Sequence, residues 1–229
     1  MSYDSAPLHV LHKNNGRLPT RIMFHEEPWE RMPYPRELGP YIREYFKSGK
    51  IGSGPIVDLG AGENPISHCV LKERGPHPDR ILVDLSLESH LFREQHHGDT
   101  AIQADLDMLV QDKQAWESLK RVIMAINGGN VCADTIIASS ILNYVGYSRV
   151  LHLFDSVFST GGLLFIGNGI DMGNEGEGNW NLRPKSDEEL VDFLGRELKY
   201  EIEVQERHYP KDSFDHYYGE FTVIVARKK

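Results

Sequence analysis

The chain has 229 residues, 40% of them apolar, and 34 acidic against 25 basic side chains leave a net charge of −9. That length suits one domain with an extension, and no run of Lys and Arg is dense enough to grip nucleic-acid phosphates. No apolar stretch approaches the ~20 residues of a membrane span, so the expected partners include neither nucleic acid nor membrane.

The first residues, Met-Ser-Tyr-Asp-Ser-Ala-Pro, lack the basic start and apolar run of a secretory signal. Cys69 and Cys132 have no CxxC spacing and read as free buried thiols, so a cytoplasmic location is expected. Residues 1–34 read as irregular, rich in Pro, His and aromatics, and form either a candidate lid with Arg21, His25, Trp29 and Tyr34 or, equally, a strap that packs Phe24 and Trp29 on the core. His25, Glu26 and Glu27 are ligand types, but three adjacent side chains do not converge on one ion, and no metal is expected. A helix is expected over 35–48, with Leu38, Tyr41, Ile42, Tyr45 and Phe46 at core spacing and Gly49 and Gly52 after it. The expected division is an extension over 1–50 and a main domain over 51–229.

Residues 55–65, Pro-Ile-Val-Asp-Leu-Gly-Ala-Gly-Glu-Asn-Pro, describe a strand over 55–59, a tight turn and a helix start over 65–74. Glycines at such a turn let a ligand approach the backbone closely, and a helix start favours negative charge. A dinucleotide fingerprint needs a third glycine where this chain has Pro65, and no Lys-Ser/Thr pair makes a phosphate loop. Asp58, two places before Gly60, suits a ligand carrying a cationic amine. A strand over 80–84 ends in Asp84, which taken alone reads equally as an acceptor for both hydroxyls of a ribose or as a surface-turn Asp. A short helix near 88–95 and a strand over 100–104 follow, the latter leading into Asp105.

With Asp58-Leu-Gly60-Ala61-Gly62 and acids at three successive strand ends, the chain resembles class I S-adenosylmethionine-dependent methyltransferases. Their first motif is Asp/Glu-x-Gly-x-Gly-x-Gly, and Asn64 stands at its last glycine, a residue that tolerates left-handed backbone angles. The resemblance covers about residues 50–229. It implies S-adenosylmethionine as cofactor, held by Asp58, Gly60, Ala61, Gly62 and Asn64, with Asp84 and Leu85 at the ribose. It also implies that Asp105 takes the adenine amino group, with Leu106 against the ring.

Further along, a helix is expected over about 112–126, a strand over 133–139 and a helix over 147–159. Gly161-Gly162 turns into a strand over 162–168, and Ser186 with Glu189 forms a capping box for a helix over 186–197. Strands near 199–206 and 220–227 read as a hairpin with a long loop. Alternating β and α segments with buried-type strands predict a mostly parallel sheet with helices on both faces. The expected fold is α/β, a Rossmann-like seven-stranded sheet whose antiparallel C-terminal hairpin strand follows from the resemblance.

Ligands of such sheets lie outside the carboxyl ends of the strands. After the fourth strand, Ser139 and Ser140 would flank the methionine part of the cofactor, and Asn143 and Tyr144 would face substrate. Simple packing of Leu142 and Tyr144, with helix capping by Asn143, reads equally well. The Gly-rich run 167–181 with Trp180, and the run from His208 through His216 and Tyr217, are candidate substrate walls. The chemistry implied is in-line methyl transfer to a small-molecule O or N acceptor, aligned in a dry site. A hydroxyl acceptor benefits from a base, for which His25 is the first choice and His208 or His216 the second. The alternatives are a protein or peptide methyltransferase with a wide groove, and a scaffold that binds the cofactor without chemistry. The sequence selects neither the acceptor atom nor an oligomeric state.

Overall fold

Short runs of β-branched and other apolar residues recur through the chain, too brief for helices and apolar on both faces, and they pair into one sheet. A computed structural model describes residues 33–61, 65–67, 80–84, 100–169, 184–209 and 220–229. The strands are β1 (Ile56–Leu59), β2 (Arg80–Asp84), β3 (Thr100–Gln103), β4 (Ala133–Ser139), β5 (Phe158–Gly169), β6 (Tyr200–His208) and β7 (Phe221–Lys228). Their order is β3-β2-β1-β4-β5-β7-β6. β1 to β5 pair in parallel, whereas β7 runs antiparallel to both β5 and β6, so β6 points the same way as the first five. The winding direction reverses between β1 and β4, the switch point where open α/β sheets bind ligands.

Helices cover both faces. On one, α2 (Leu106–Gln111), α3 (Lys113–Ile126), α4 (Tyr147–Asp155) and α5 (Asp187–Asp192) bury Leu109, Leu119, Phe154 and Leu190 against Val57, Val83, Ile136 and Ile166. On the other, α1 (Pro33–Lys47) buries Leu38, Ile42 and Tyr45 against Ile137, Phe165, Val223 and Val225. Tyr45 meets the Phe165 ring edge-on at 5.5 Å. The α1 face is amphipathic in a second sense. Tyr45 donates its hydroxyl to Glu203 at 2.8 Å, Tyr41 bonds Glu206, and Glu37 lies 3.4 Å from His208 Nδ1. Positions 37, 41 and 45 share one helix stripe, and a register shift between Ile202 and Val204 turns Glu203 to meet it. Because Glu37 faces the end of β6 and Tyr45 its earlier part, α1 runs against the strands and begins at their carboxyl side.

Most expected elements are present, and four differ. A separate helix, α2, precedes α3: Asp105 and Asp112 each accept two backbone N–H bonds at its start and end, so two caps seven residues apart divide the segment. The helix expected to reach 159 stops at Asp155, because Ala133 N–H binds Val157 O at 2.7 Å and Phe158 already pairs with Ala133. β5 therefore starts before Gly161-Gly162, whose pair lies in a wide irregularity between Ala133/Phe158 and Thr135/Leu163. α5 ends at Asp192 and passes into a single π turn, Phe193–Glu197. Cys132 is half-buried rather than buried. The helices expected near 65–74 and 88–95 lie wholly or mostly outside the described residues, as does the run 170–183 with Trp180.

Candidate functional site

Registers place the strand-end residues with respect to one another. Leu59 pairs with Val83 on β2 and Ala138 on β4. One residue further, Asp84, Gly60 and Ser139 therefore stand level across β2, β1 and β4, about one strand spacing of ~4.8 Å apart each. Gln103 continues that rung beyond Asp84, and Gly167 beyond Ser139. The switch point is thus lined by a carboxylate, a glycine and a hydroxyl in one row.

Asp58 lies two residues below this row and is 1% exposed. Its Oδ2 accepts from Ser67 Oγ at 2.6 Å and from Ser67 N–H at 3.2 Å, which ties the strand end to the helix that follows the turn. Burial pushes the Asp58 carboxyl from its ordinary 3.8 up to about 6, while the two Ser67 bonds pull the other way; Asp84 adds to the rise and Arg80 opposes it. An acid held this far out of water favours a cationic neighbour.

Gly60 has φ +67 and donates its N–H to Val83 O at 2.8 Å. A Cβ there would stand 2.6 Å from Cβ of Ile141, so this glycine makes room for the segment after β4 as well as for a turn. That segment is a single 3₁₀ turn, Ile141–Asn143, entered through Ser140 at φ 63. A non-glycine residue in the left-handed region stores strain, and Ser140 N–H is anchored to Gly167 O at 2.7 Å. Gly146 N–H is held by Asp107 Oδ1 at 2.9 Å, so α2 steadies the far end of the same loop. Ser139 Oγ, in the row itself, is buried without a hydrogen-bond partner.

Asp84 is half-buried, and its carbonyl accepts from Ala104 N–H at 2.9 Å, drawing the end of β3 alongside. Asp105 caps α2 through Oδ1 alone, accepting from Asp107 N–H at 2.9 Å and Met108 N–H at 3.3 Å, which leaves Oδ2 for another donor. Leu106 packs into the core, and Ala61 is buried beside Leu82.

Of the substrate-side candidates, Asn143 is 4% exposed. With its amide oriented so that both ends are paired, it donates to Gly169 O at 3.0 Å and accepts from Gly169 N–H at 3.2 Å, locking the 3₁₀ turn to the end of β5. Tyr144 is 57% exposed on the rim of the same turn. His208 ends β6 on the ligand side, its ring stacked on Phe221 at 5.2 Å, with Glu37 near Nδ1 and no hydrogen-bond partner for the buried Nε2. Gly62, Asn64 and Leu85, and the candidate bases His25 and His216, lie outside the described residues. Among the described residues no cluster of His, Cys, Asp or Glu could hold a metal ion, and no helix is long and apolar enough to cross a membrane. Sequence reasoning missed Ser67, Ile141 and Glu37. Nothing local marks them, because each matters only through a partner in another element.

No protein-family model matches the chain, and no curated protein sequence is similar to it. Solved structures are similar. N-methyltransferase NodS from Bradyrhizobium japonicum, in complex with S-adenosylhomocysteine, has a TM-score of 0.59 at 12% identity over 89% of this chain and 93% of that one. The 1,6-didemethyltoxoflavin-N1-methyltransferase of Burkholderia thailandensis, with bound 1,6-didemethyltoxoflavin and S-adenosylhomocysteine, has 0.58 at 14% over 88% and 80%. The [4+2]-cyclase SpnF has 0.54 at 15% over 82% and 80%. At these identities the likeness establishes the fold, and the cyclase among them shows that the fold hosts more than one reaction.

Proposed function

We propose that this chain, which has the fold of class I S-adenosylmethionine-dependent methyltransferases, binds S-adenosylmethionine across the carboxyl ends of β1, β2 and β4 and methylates a small-molecule acceptor. The observation that carries this reading is the buried carboxyl of Asp58 below a row of Asp84, left-handed Gly60 and the unpartnered Ser139 hydroxyl. The donor set of the cofactor fits it. Asp58 would neutralise the ammonium end, Asp84 would accept from the ribose hydroxyls, and the spare oxygen of Asp105 would accept from the adenine amino group. Ser139 would gain the partner it lacks, beside the methionine part. When bound, the cofactor supplies an electrophilic methyl carbon on a sulfonium.

The chain's own contribution is alignment and exclusion of water. Ser140, Asn143 and Asp107 hold the loop after β4 rigid against β5 and α2, which supports a fixed substrate floor with Tyr144 at its rim. His208 stands on the ligand side but three strand spacings, roughly 14 Å, from β4. It suits the wall of an acceptor that extends towards β6, and it acts as base only for such an acceptor; His25 and His216 are the other proposed bases. Residues 1–32 join α1 where it begins, at the carboxyl side of the sheet, which supports their proposed role as a lid. The half-buried free thiol of Cys132 suits a reducing, cytoplasmic setting.

Calorimetry and thermal shift with S-adenosylmethionine and S-adenosylhomocysteine test the reading, with a nicotinamide dinucleotide as the control that gives no response. Absence of both heat and shift sinks it. Asp84→Asn, losing charge-assisted bonds, lowers affinity by roughly tenfold or more. Methylation of peptides but of no small molecule in an acceptor screen would replace the substrate class.

A further inference from the structure

We infer that Ser67 is a positioning residue for the cofactor's cationic end, its hydroxyl and backbone N–H holding the Asp58 carboxylate ionised and in place behind the glycine turn. The inference rests on the cofactor reading above and names a residue that reading did not use. Ser67 is completely buried and stands nine residues after Asp58, in the first turn of the helix that follows. A serine that merely caps a helix accepts from a backbone N–H two or three residues on. Ser67 does the reverse, donating outward to the preceding strand.

The direction of that bond matters chemically. An ionised carboxylate is an acceptor only, so a hydroxyl and an N–H converging on one oxygen both favour the charged form. The 2.6 Å O–H to O distance lies in the range of a charge-assisted bond. Among the described residues two other charged groups act on Asp58, both from β2: Asp84 disfavours ionisation and Arg80 favours it. The neighbours level with Asp58 on β2 and β4, Leu82 and Ile137, are apolar and offer nothing. Burial therefore works against the charge that a cationic ligand needs, and Ser67, hydrogen-bonded directly to the carboxyl, offsets part of that penalty.

Ser67→Ala removes the hydroxyl while keeping a good helix former. The carboxyl of Asp58, followed by carbon-detected NMR in the ligand-free protein, should then titrate about one pH unit or more higher, the worth of one hydrogen bond to a charged group. Ser67→Thr, which keeps the hydroxyl, should titrate as the wild type does. In calorimetry at pH 6.5, where a midpoint moved from about 6 to about 7 leaves roughly a third as much carboxylate, Ser67→Ala should bind S-adenosylhomocysteine at least about threefold more weakly than wild type, recovering as the pH rises past the new midpoint. A purely structural role would lower stability without moving either midpoint. An unchanged Asp58 titration in Ser67→Ala overturns the inference, whether or not the ligand binds. A wild type that binds neither ligand overturns the cofactor reading instead, and the NMR result then still decides the role of Ser67.

Discussion

Replacing Asp58 by Asn should make the protein more stable and a worse ligand binder, and the two effects have one cause. The carboxyl is 1% exposed, and burial lifts it from 3.8 to about 6 despite both Ser67 bonds. An acid whose folded value lies above its unfolded value stabilises the fold fully below the lower value and loses that contribution as pH rises through the upper one. Across the interval from 3.8 to about 6, at ~1.4 kcal/mol per pH unit, the ionised side chain costs about 3 kcal/mol at pH 8 relative to its protonated form. Asparagine is neutral, has the same shape and keeps an oxygen for Ser67. Asp58→Asn should recover up to about 3 kcal/mol at pH 8 and nothing at pH 3.5, which corresponds to roughly 6–12 °C in Tm for a chain of this size. Urea or thermal unfolding between pH 3.5 and 8, run on both proteins, measures it. The wild type should lose stability relative to the variant between pH 4 and 7. Stability curves that stay parallel over that interval would refute the argument. The same variant should bind S-adenosylhomocysteine at least about tenfold more weakly at pH 8, since it lacks the proposed counter-charge for the ammonium.

Gly60→Ala should cost about 3 kcal/mol in denaturant unfolding, the sum of a left-handed alanine and a Cβ pressed against Ile141; Gly60→Ala with Ile141→Val should recover part of it. Deleting residues 1–30 should abolish turnover while α1 and the sheet stay folded by circular dichroism and cofactor affinity falls only partly; normal turnover in the truncated chain would eliminate the lid. His25→Ala with full activity would eliminate that base alone.

Much of the sheet was legible because its causes are local. Val57, Ile81 and Ile136 sit in short apolar runs that can only be strands buried on both faces, and Asp84 and Ser139 mark where β2 and β4 leave the core, whereas Asp58 stays inside it. The Ser186 cap likewise needs only Glu189 three residues on, and its bond to that N–H is formed at 3.1 Å. Two caps seven residues apart, at Asp105 and Asp112, are equally local, yet only the helix after Asp112 is expected from the sequence, because a six-residue helix carries too little periodicity to declare itself. What only the tertiary structure decided involves partners in different elements. Whether Asp58 faces water or a hydroxyl depends on where the next helix returns, and the reason for glycine at position 60 is Ile141, some eighty residues away on a neighbouring strand's exit loop. Glu37 meets His208 only because α1 packs across β5 and β7 with its polar stripe turned towards the edge strand β6. Strand order makes these contacts, and strand order is settled by how the whole apolar surface is buried, a quantity that no window of a few residues contains.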